Sequence, residues 1–151
     1  MTKNGEKKLN LVVLISGGGS NLQAIINAID EKRLDARIKA VVSNRADAFG
    51  LERAHKSGIK TEIIDHKNYS DRESFDQKLI QVIDHYQPDL LVMAGFMRIL
   101  SAGFILHYSN RIINIHPSLL PKFKGLHTHK RALEAGEVEH GLTIHYVTAE
   151  L

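Results

Sequence analysis

The run Leu9-Asn10-Leu11-Val12-Val13-Leu14-Ile15, leading straight into Ser16-Gly17-Gly18-Gly19-Ser20-Asn21, narrows the fold more than any other stretch. A short, nearly continuous apolar run is the pattern of a strand buried on both faces, the signature of a parallel sheet. After the glycines, Leu22, Ile25, Ile26 and Ile29 recur at helical spacing. Strand, glycine loop and helix in that order make a phosphate-binding turn: glycines let the backbone approach an anion, and a helix N-terminus offers free N–H groups and a favourable dipole. Ser20 or Asn21 is the expected N-cap, with a side chain able to reach phosphate oxygens. The loop is not a Walker sequence, since no Lys-Ser/Thr follows, and it departs from the dinucleotide G-x-G-x-x-G spacing. A tight turn with no ligand is the plainer alternative for the same residues.

The alternation continues along the chain. Ile38 to Ser43 reads as a second strand ending at Asn44, and Ala46 to Lys56 as a helix stopped by Gly58. Thr61-Glu62-Ile63-Ile64 is a short third strand. Phe75, Leu79, Val82, Ile83 and Tyr86 mark an amphipathic helix from Asp71 to Tyr86, with Ser70-Asp71-Arg72-Glu73 as its capped first turn. Arg72 on this reading is a solvated helix-face residue. Leu90 to Ala94 is a fourth buried strand. The apolar loop Gly95-Phe96-Met97-Arg98-Ile99-Leu100 follows, either simple core packing or a slot for a flat ring system. Phe104, Ile105 and Tyr108 suggest a short helical turn before a fifth strand, Arg111 to Ile115. A helix near Lys130 to Ala135 and a sixth strand, Gly141 to Val147, complete the pattern. Such alternation predicts one α/β domain: a mainly parallel, Rossmann-like three-layer arrangement with helices on both faces of the sheet. Its function-bearing loops gather at the strand C-termini.

One of those loops carries a candidate for chemistry. Asn114-Ile115-His116-Pro117-Ser118-Leu119-Leu120-Pro121 falls where the fifth strand gives way to a loop. Proline after His116 biases that residue toward extended backbone, and Asn114 and His116, two apart, then point the same way. An amide and an imidazole together suit stabilising an oxyanion and moving a proton near neutral pH. A satisfied histidine in a proline-bounded turn is the alternative. His127 and His129 lack a third ligand at a recognised spacing, so no metal site is expected. His145 is a polar residue in the sixth strand.

Bulk properties exclude several classes. The chain of 151 residues is 43% hydrophobic and 25% charged, enough for one soluble domain. Its formal charge of +3 is spread thinly, with no arginine-rich, aromatic-interleaved surface, so no nucleic-acid partner is expected. Cysteine is absent, which removes disulfides, thiolate metal sites and a cysteine nucleophile. No apolar run approaches membrane-spanning length and no signal peptide is evident, so a cytoplasmic location is the expectation. Residues 1–8 read as a flexible leader, and residues 9–151 as one domain. After Val147 the chain ends at Thr148-Ala149-Glu150-Leu151 with no closing turn, helix or tail, so the sequence reads as cut short of its natural C-terminus.

Taken together, Ser16 to Asn21, Met93 to Leu100 and Asn114 to Pro121 resemble the phosphoribosylglycinamide formyltransferase family of folate-dependent enzymes. The resemblance runs from about Leu9 to Leu151 and includes Ala46-Asp47-Ala48-Phe49-Gly50-Leu51, Gly125-Leu126-His127-Thr128-His129, Glu139-His140-Gly141 and Val147-Thr148. The Asn-x-His-Pro-Ser-Leu-Leu-Pro motif marks the wider formyltransferase superfamily, and the Ser-Gly-x-Gly-Ser-Asn loop narrows it to the glycinamide ribonucleotide branch. What this implies is formyl transfer from 10-formyltetrahydrofolate, as co-substrate and without a metal, to the amine of glycinamide ribonucleotide in de novo purine synthesis. By resemblance the backbone of Gly19, Ser20 and Asn21 holds the substrate phosphate, with Asn114 also at that substrate. Arg72, Met97, Arg98, Ile99 and Leu100 contact the folate, and Thr148, Ala149, Glu150 and Leu151 form its far wall. Asn114 and His116 are implied as catalytic, with a homodimer left open.

The resemblance also implies a catalytic aspartate immediately after the position of Leu151. A segment ending there is expected to be inactive and poorly folded alone, while the intact protein is expected to be active. Lys124 departs from the proline common in relatives, which bears on loop rigidity rather than chemistry. Two rivals share the chemistry. Methionyl-tRNA formyltransferase is expected to lack the glycine loop and carry a basic C-terminal domain. Formyltetrahydrofolate hydrolase is expected to carry a regulatory domain ahead of the catalytic one. A non-catalytic nucleotide-binding module would keep the loop but have no use for Asn114 and His116.

Overall fold

A computed structural model describes residues 8–117 and 142–146. Six strands form one sheet in the order β3-β2-β1-β4-β5-β6. They are β1 (Leu9–Ile15), β2 (Ala36–Ser43), β3 (Thr61–Ile63), β4 (Leu90–Ala94), β5 (Ile112–Pro117) and β6 (Leu142–Tyr146). The first five are parallel to their neighbours and β6 runs antiparallel to β5. The helices are α1 (Ser20–Asp30), α2 (Gly50–Lys56), α3 (Arg72–His85) and α4 (Ala102–His107), with a 3-10 turn at His66–Asn68.

Strand alternation divides the core in two. Leu11, Val13 and Ile15 of β1 point to one face, where Leu22, Ile25 and Ile26 of α1 and Leu51 and Ala54 of α2 cover them. Val12 and Leu14 point to the other, beneath Phe75, Leu79 and Ile83 of α3 and Phe104 and Ile105 of α4. That is why β1 and β4 read as continuous apolar runs: every residue has a covered face, and each buried side chain contributes about 1.5–3 kcal/mol. Helices following β1 and β2 lie on one side, and those following β3 and β4 on the other. The order in which strands are added therefore reverses between the adjacent parallel strands β1 and β4. Open α/β sheets bind ligands at such a switch point, above the strand C-termini.

The strand and helix bounds refine the sequence expectations at three places. Helix α2 begins at Gly50, not Ala46. Arg45 clamps Asp47 through two 3.0 Å bonds, and the Gly50 amide donates across to the Gly17 carbonyl at 2.9 Å, so the preceding residues form a turn. Helix α1 is capped by Gly19 in the left-handed region at φ 79°, with no side-chain cap, rather than by Ser20 or Asn21. Strand β5 runs on through Pro117, because β6 pairs with it as far as Pro117 opposite Leu142. Asn114 lies inside the strand as expected, and His116 lies inside it too rather than in the loop beyond. The anticipated helix near Lys130 lies outside the described residues.

Side-chain bonds lock the turns that set the strands' positions. The Tyr108 hydroxyl donates to Asp84 Oδ1 at 2.6 Å, and His107 Nε2 lies 2.8 Å from Asp84 Oδ2, tying α4 to α3. Burial, then the bond to Asp84, pushes the Tyr108 phenol far above its ordinary range. Arg111, at the entry to β5, lies over the Tyr108 ring at 5.2 Å and donates to the Pro88 carbonyl at 3.2 Å.

Asp71 caps α3, accepting from the Ser74 amide at 2.7 Å, and that bond lowers its carboxyl below the ordinary 3.8. A depressed acid lends stability above its unfolded pKa and loses it as pH falls through the folded value. Asp71→Ala is therefore expected to lower the urea midpoint at pH 7, with a smaller deficit near pH 3. An equal deficit at both pH values contradicts a charged cap.

Candidate active site

Register places the site. Leu14 of β1 pairs with Met93 of β4, Met93 with Asn114 of β5, and Asn114 with His145 of β6. These four residues form one row across the sheet, close to the C-terminal ends of β1 and β4. Asn114 is half-buried, and strand alternation puts it on the Ile112 side of the sheet, since Ile113 and Ile115 enter the α1–α2 core. His116 lies two residues further along β5, opposite Thr143. Its side chain falls outside the described residues.

Two loops close over this row and are bonded together. Ser16 ends β1 and is buried, its hydroxyl accepting from the Met97 amide at 2.8 Å and donating to Asn44 Oδ1 at 2.5 Å. Asn44 Nδ2 in turn lies 3.1 Å from His66 Nδ1. One hydroxyl thus ties the loop after β4 to the ends of β1 and β2. The second tie is Asn21, buried in the first turn of α1, whose Nδ2 donates to the Ile115 carbonyl at 3.2 Å. The Asn21 side chain is therefore spent on β5, leaving the loop's backbone to face a ligand.

The loop Gly95–Leu100 presents an alternating surface. Phe96 and Leu100 turn inward, while Met97 and Ile99 are 78% and 71% exposed. Arg98 lies over the Phe75 ring at 5.4 Å, and its Nε is buried without a partner among the described residues. The loop's far end is held by the buried Asp76, whose Oδ2 accepts from the Ser101 amide at 2.7 Å while Oδ1 stays unpartnered. Arg72 is exposed at the start of α3, one turn before Phe75 and Asp76, so it shares the helix face that meets this loop.

Most of the expected site residues therefore converge. Gly19, Ser20 and Asn21 sit at one strand end, Met97 to Leu100 at the neighbouring one, and Asn114 in the adjoining strand. Thr148, Ala149, Glu150, Leu151, His127 and His129 lie outside the described residues. Ser16, Asn44 and Asp76 escaped the sequence reading. Polar residues at strand ends were its only available signal, and Ser16 directly follows a strand. Among the described residues no group of three His, Cys, Asp or Glu side chains is placed to hold a metal. No helix among them is long and apolar enough to cross a membrane.

Ser16→Ala removes the hydroxyl shared by Met97 and Asn44. Losing both hydrogen bonds costs about 1–3 kcal/mol. If Met97 and its neighbours contact the co-substrate, its KM is expected to rise about tenfold or more. An unchanged co-substrate KM in steady-state assays contradicts the tether.

A switch-point crevice, a glycine loop at a helix start and an amide within an adjoining strand define a ligand-binding α/β protein. Residues 9–151 match the formyl transferase family model, and the chain belongs to that family. It is 57% identical over 143 residues to phosphoribosylglycinamide formyltransferase of Escherichia coli K12, covering 95% of this chain and 68% of that protein. It is 44% identical over 146 residues to the human trifunctional purine biosynthetic protein adenosine-3, covering 97% of this chain and 14% of that protein. The solved structure of the phosphoribosylglycinamide formyltransferase from Coxiella burnetii superposes with a TM-score of 0.76 at 59% identity, over 94% of this chain and 67% of that one. The chain thus spans about two thirds of the bacterial relatives and a small part of the trifunctional one.

Proposed function

We propose that this chain forms the substrate-binding and catalytic core, residues 9–151, of an enzyme transferring the formyl group of 10-formyltetrahydrofolate to the amine of glycinamide ribonucleotide. The observation that carries the reading is the row Leu14–Met93–Asn114, with one bonded loop at each neighbouring strand end. The Gly17–Asn21 loop opens an eleven-residue helix whose first-turn amides carry a partial positive charge, suited to the substrate phosphate. The loop after β4 suits the folate: Met97 and Ile99 offer exposed apolar area for a flat ring. The names of the bacterial relatives, phosphoribosylglycinamide formyltransferases, support the choice of acceptor.

On this reading the amine attacks the formyl carbon and its carbonyl oxygen gains negative charge. Asn114 Nδ2 donates to that oxygen from a position fixed by strand pairing on both sides, so little reorganisation is needed as charge develops. A protonated His116 stabilises the same charge; as the intermediate collapses, the bond from the formyl carbon to the folate nitrogen breaks, tetrahydrofolate leaves, and the proton lost by the amine ends on that nitrogen with His116 as its carrier. Ser20 and Gly19 hold the phosphate through backbone N–H groups, and Arg72 lies within reach of the folate's acidic tail.

The test supplies the full-length gene product with glycinamide ribonucleotide and donor labelled with ¹³C at the formyl carbon. Label appearing as an N-formyl group on the ribonucleotide is expected. Folded protein that produces no labelled ribonucleotide overturns the reading.

A further inference from the structure

We propose that Arg53 and Gly50 of α2 are positioning residues that set the anion-binding shape of the Gly17–Gly19 loop, and so decide how strongly the enzyme prefers a phosphorylated acceptor; this rests on reading that loop as the phosphate site. Sterics alone do not hold the loop. Gly17 and Gly18 are exposed, and a Cβ at either would meet nothing within 4 Å. Two hydrogen bonds from α2 do the holding. The Gly50 amide donates to the Gly17 carbonyl at 2.9 Å, and Arg53 Nε donates to the Gly18 carbonyl at 2.7 Å.

These bonds fix where the loop's amides face. No peptide bond among the described residues is cis, and in a planar trans peptide the C=O and N–H point in opposite directions. With the Gly17 and Gly18 carbonyls turned toward α2, the N–H groups of Gly18 and Gly19 must turn away from it. Gly19 then adopts φ 79° and its carbonyl accepts from the Gln23 amide at 2.8 Å, which aims the Ser20 N–H out of the helix start. Three successive amides so arranged form an anion-binding concavity.

Arg53 is itself braced for this task. Its guanidinium lies over the Phe49 ring at 5.1 Å, and Nη1 donates to Gln23 Oε1 at 3.3 Å. Phe49, 53% exposed, thereby gains a use as a shelf. Gly50 permits the approach. A Cβ there would lie 2.5 Å from Ile15 Cδ1, 3.2 Å from Gly19 Cα and 3.3 Å from the Gly17 oxygen. The helix opens on a poor helix former because only glycine fits against the loop.

The experiment compares kcat/KM of the full-length gene product for glycinamide ribonucleotide and for the same acceptor lacking its phosphate. Arg53→Met is expected to lose about tenfold with the ribonucleotide, the worth of one charge-assisted hydrogen bond, while the unphosphorylated acceptor is used as before. The loss should appear in KM rather than kcat. Arg53→Lys, which keeps the charge and a donor, is expected to recover part of it. The ratio between Arg53→Met and wild type should persist at high salt, where a purely long-range charge effect is screened out. Gly50→Ala is expected to reduce the phosphate preference in the same way. Equal losses on both acceptors, no loss on either, or a penalty that vanishes with salt overturns the inference. Wild-type enzyme that uses both acceptors equally well overturns the phosphate-loop reading itself.

Discussion

Asn114→Ala in the full-length gene product is expected to lower kcat for formyl transfer by about 10²–10³-fold, the usual cost of one oxyanion donor. The size of the effect follows from where Asn114 sits. Pairing with Met93 on one side and His145 on the other leaves its backbone no freedom, so its amide is aimed before the reaction begins. A donor already in place is worth more in the transition state than with bound substrate, so kcat should fall far more than either KM rises. Stability should change little, because the side chain is half-buried and makes no hydrogen bond to another described residue. Rapid-quench measurement of a single turnover separates the chemical step from product release. A loss below about fivefold in that step contradicts an oxyanion role for Asn114.

Phe75→Ala is expected to destabilise the protein by about 3–5 kcal/mol, read as a shift in urea midpoint. Phe75 is 1% exposed in the core beneath α3 and meets the Tyr69 ring edge-on at 5.8 Å. It is also the face on which Arg98 rests. One ring thus joins core packing to the loop proposed for the folate. Phe75→Leu restores most of the volume but offers no π face to a guanidinium. That variant is expected to fold and to bind the folate co-substrate about threefold to tenfold more weakly, with KM for the ribonucleotide unchanged. Equal weakening of both substrates contradicts the link between Phe75 and one loop.

Much of the fold was legible because its signals are local. Leu9–Ile15 and Leu90–Ala94 are buried on both faces, and their apolar runs say so directly. Helix α3 carries its own periodicity and cap, and its bounds fall within a residue of the expected ones. What misled was tertiary. Ala46 has the composition of a helix start, yet α2 waits for Gly50, whose amide is drawn to the Gly17 carbonyl thirty-three residues earlier in the chain. Asn21 looks like a helix cap but donates instead to Ile115, ninety-four residues away. The end of β5 depends on β6, and no residue near Pro117 announces a partner across the sheet.

The same division applies to the site. Asn114, Met97 and the glycines stand in motifs, so the sequence displays them. Ser16, Arg53 and Asp76 act through hydrogen bonds to distant backbone, for which one sequence carries no sign. Arg53 reads as an ordinary helix-face cation until the Gly18 carbonyl is seen against it.

The meeting of two substrates beside Asn114 is tested most directly by amide chemical shifts in the full-length gene product. Glycinamide ribonucleotide added alone should shift Gly18, Gly19, Ser20 and Asn21, and tetrahydrofolate added alone should shift Met97, Arg98, Ile99 and Leu100. Asn114 should respond to both. Two ligands that perturb the same loop, or that both leave Asn114 unmoved, would contradict a site built between the ends of β1 and β4.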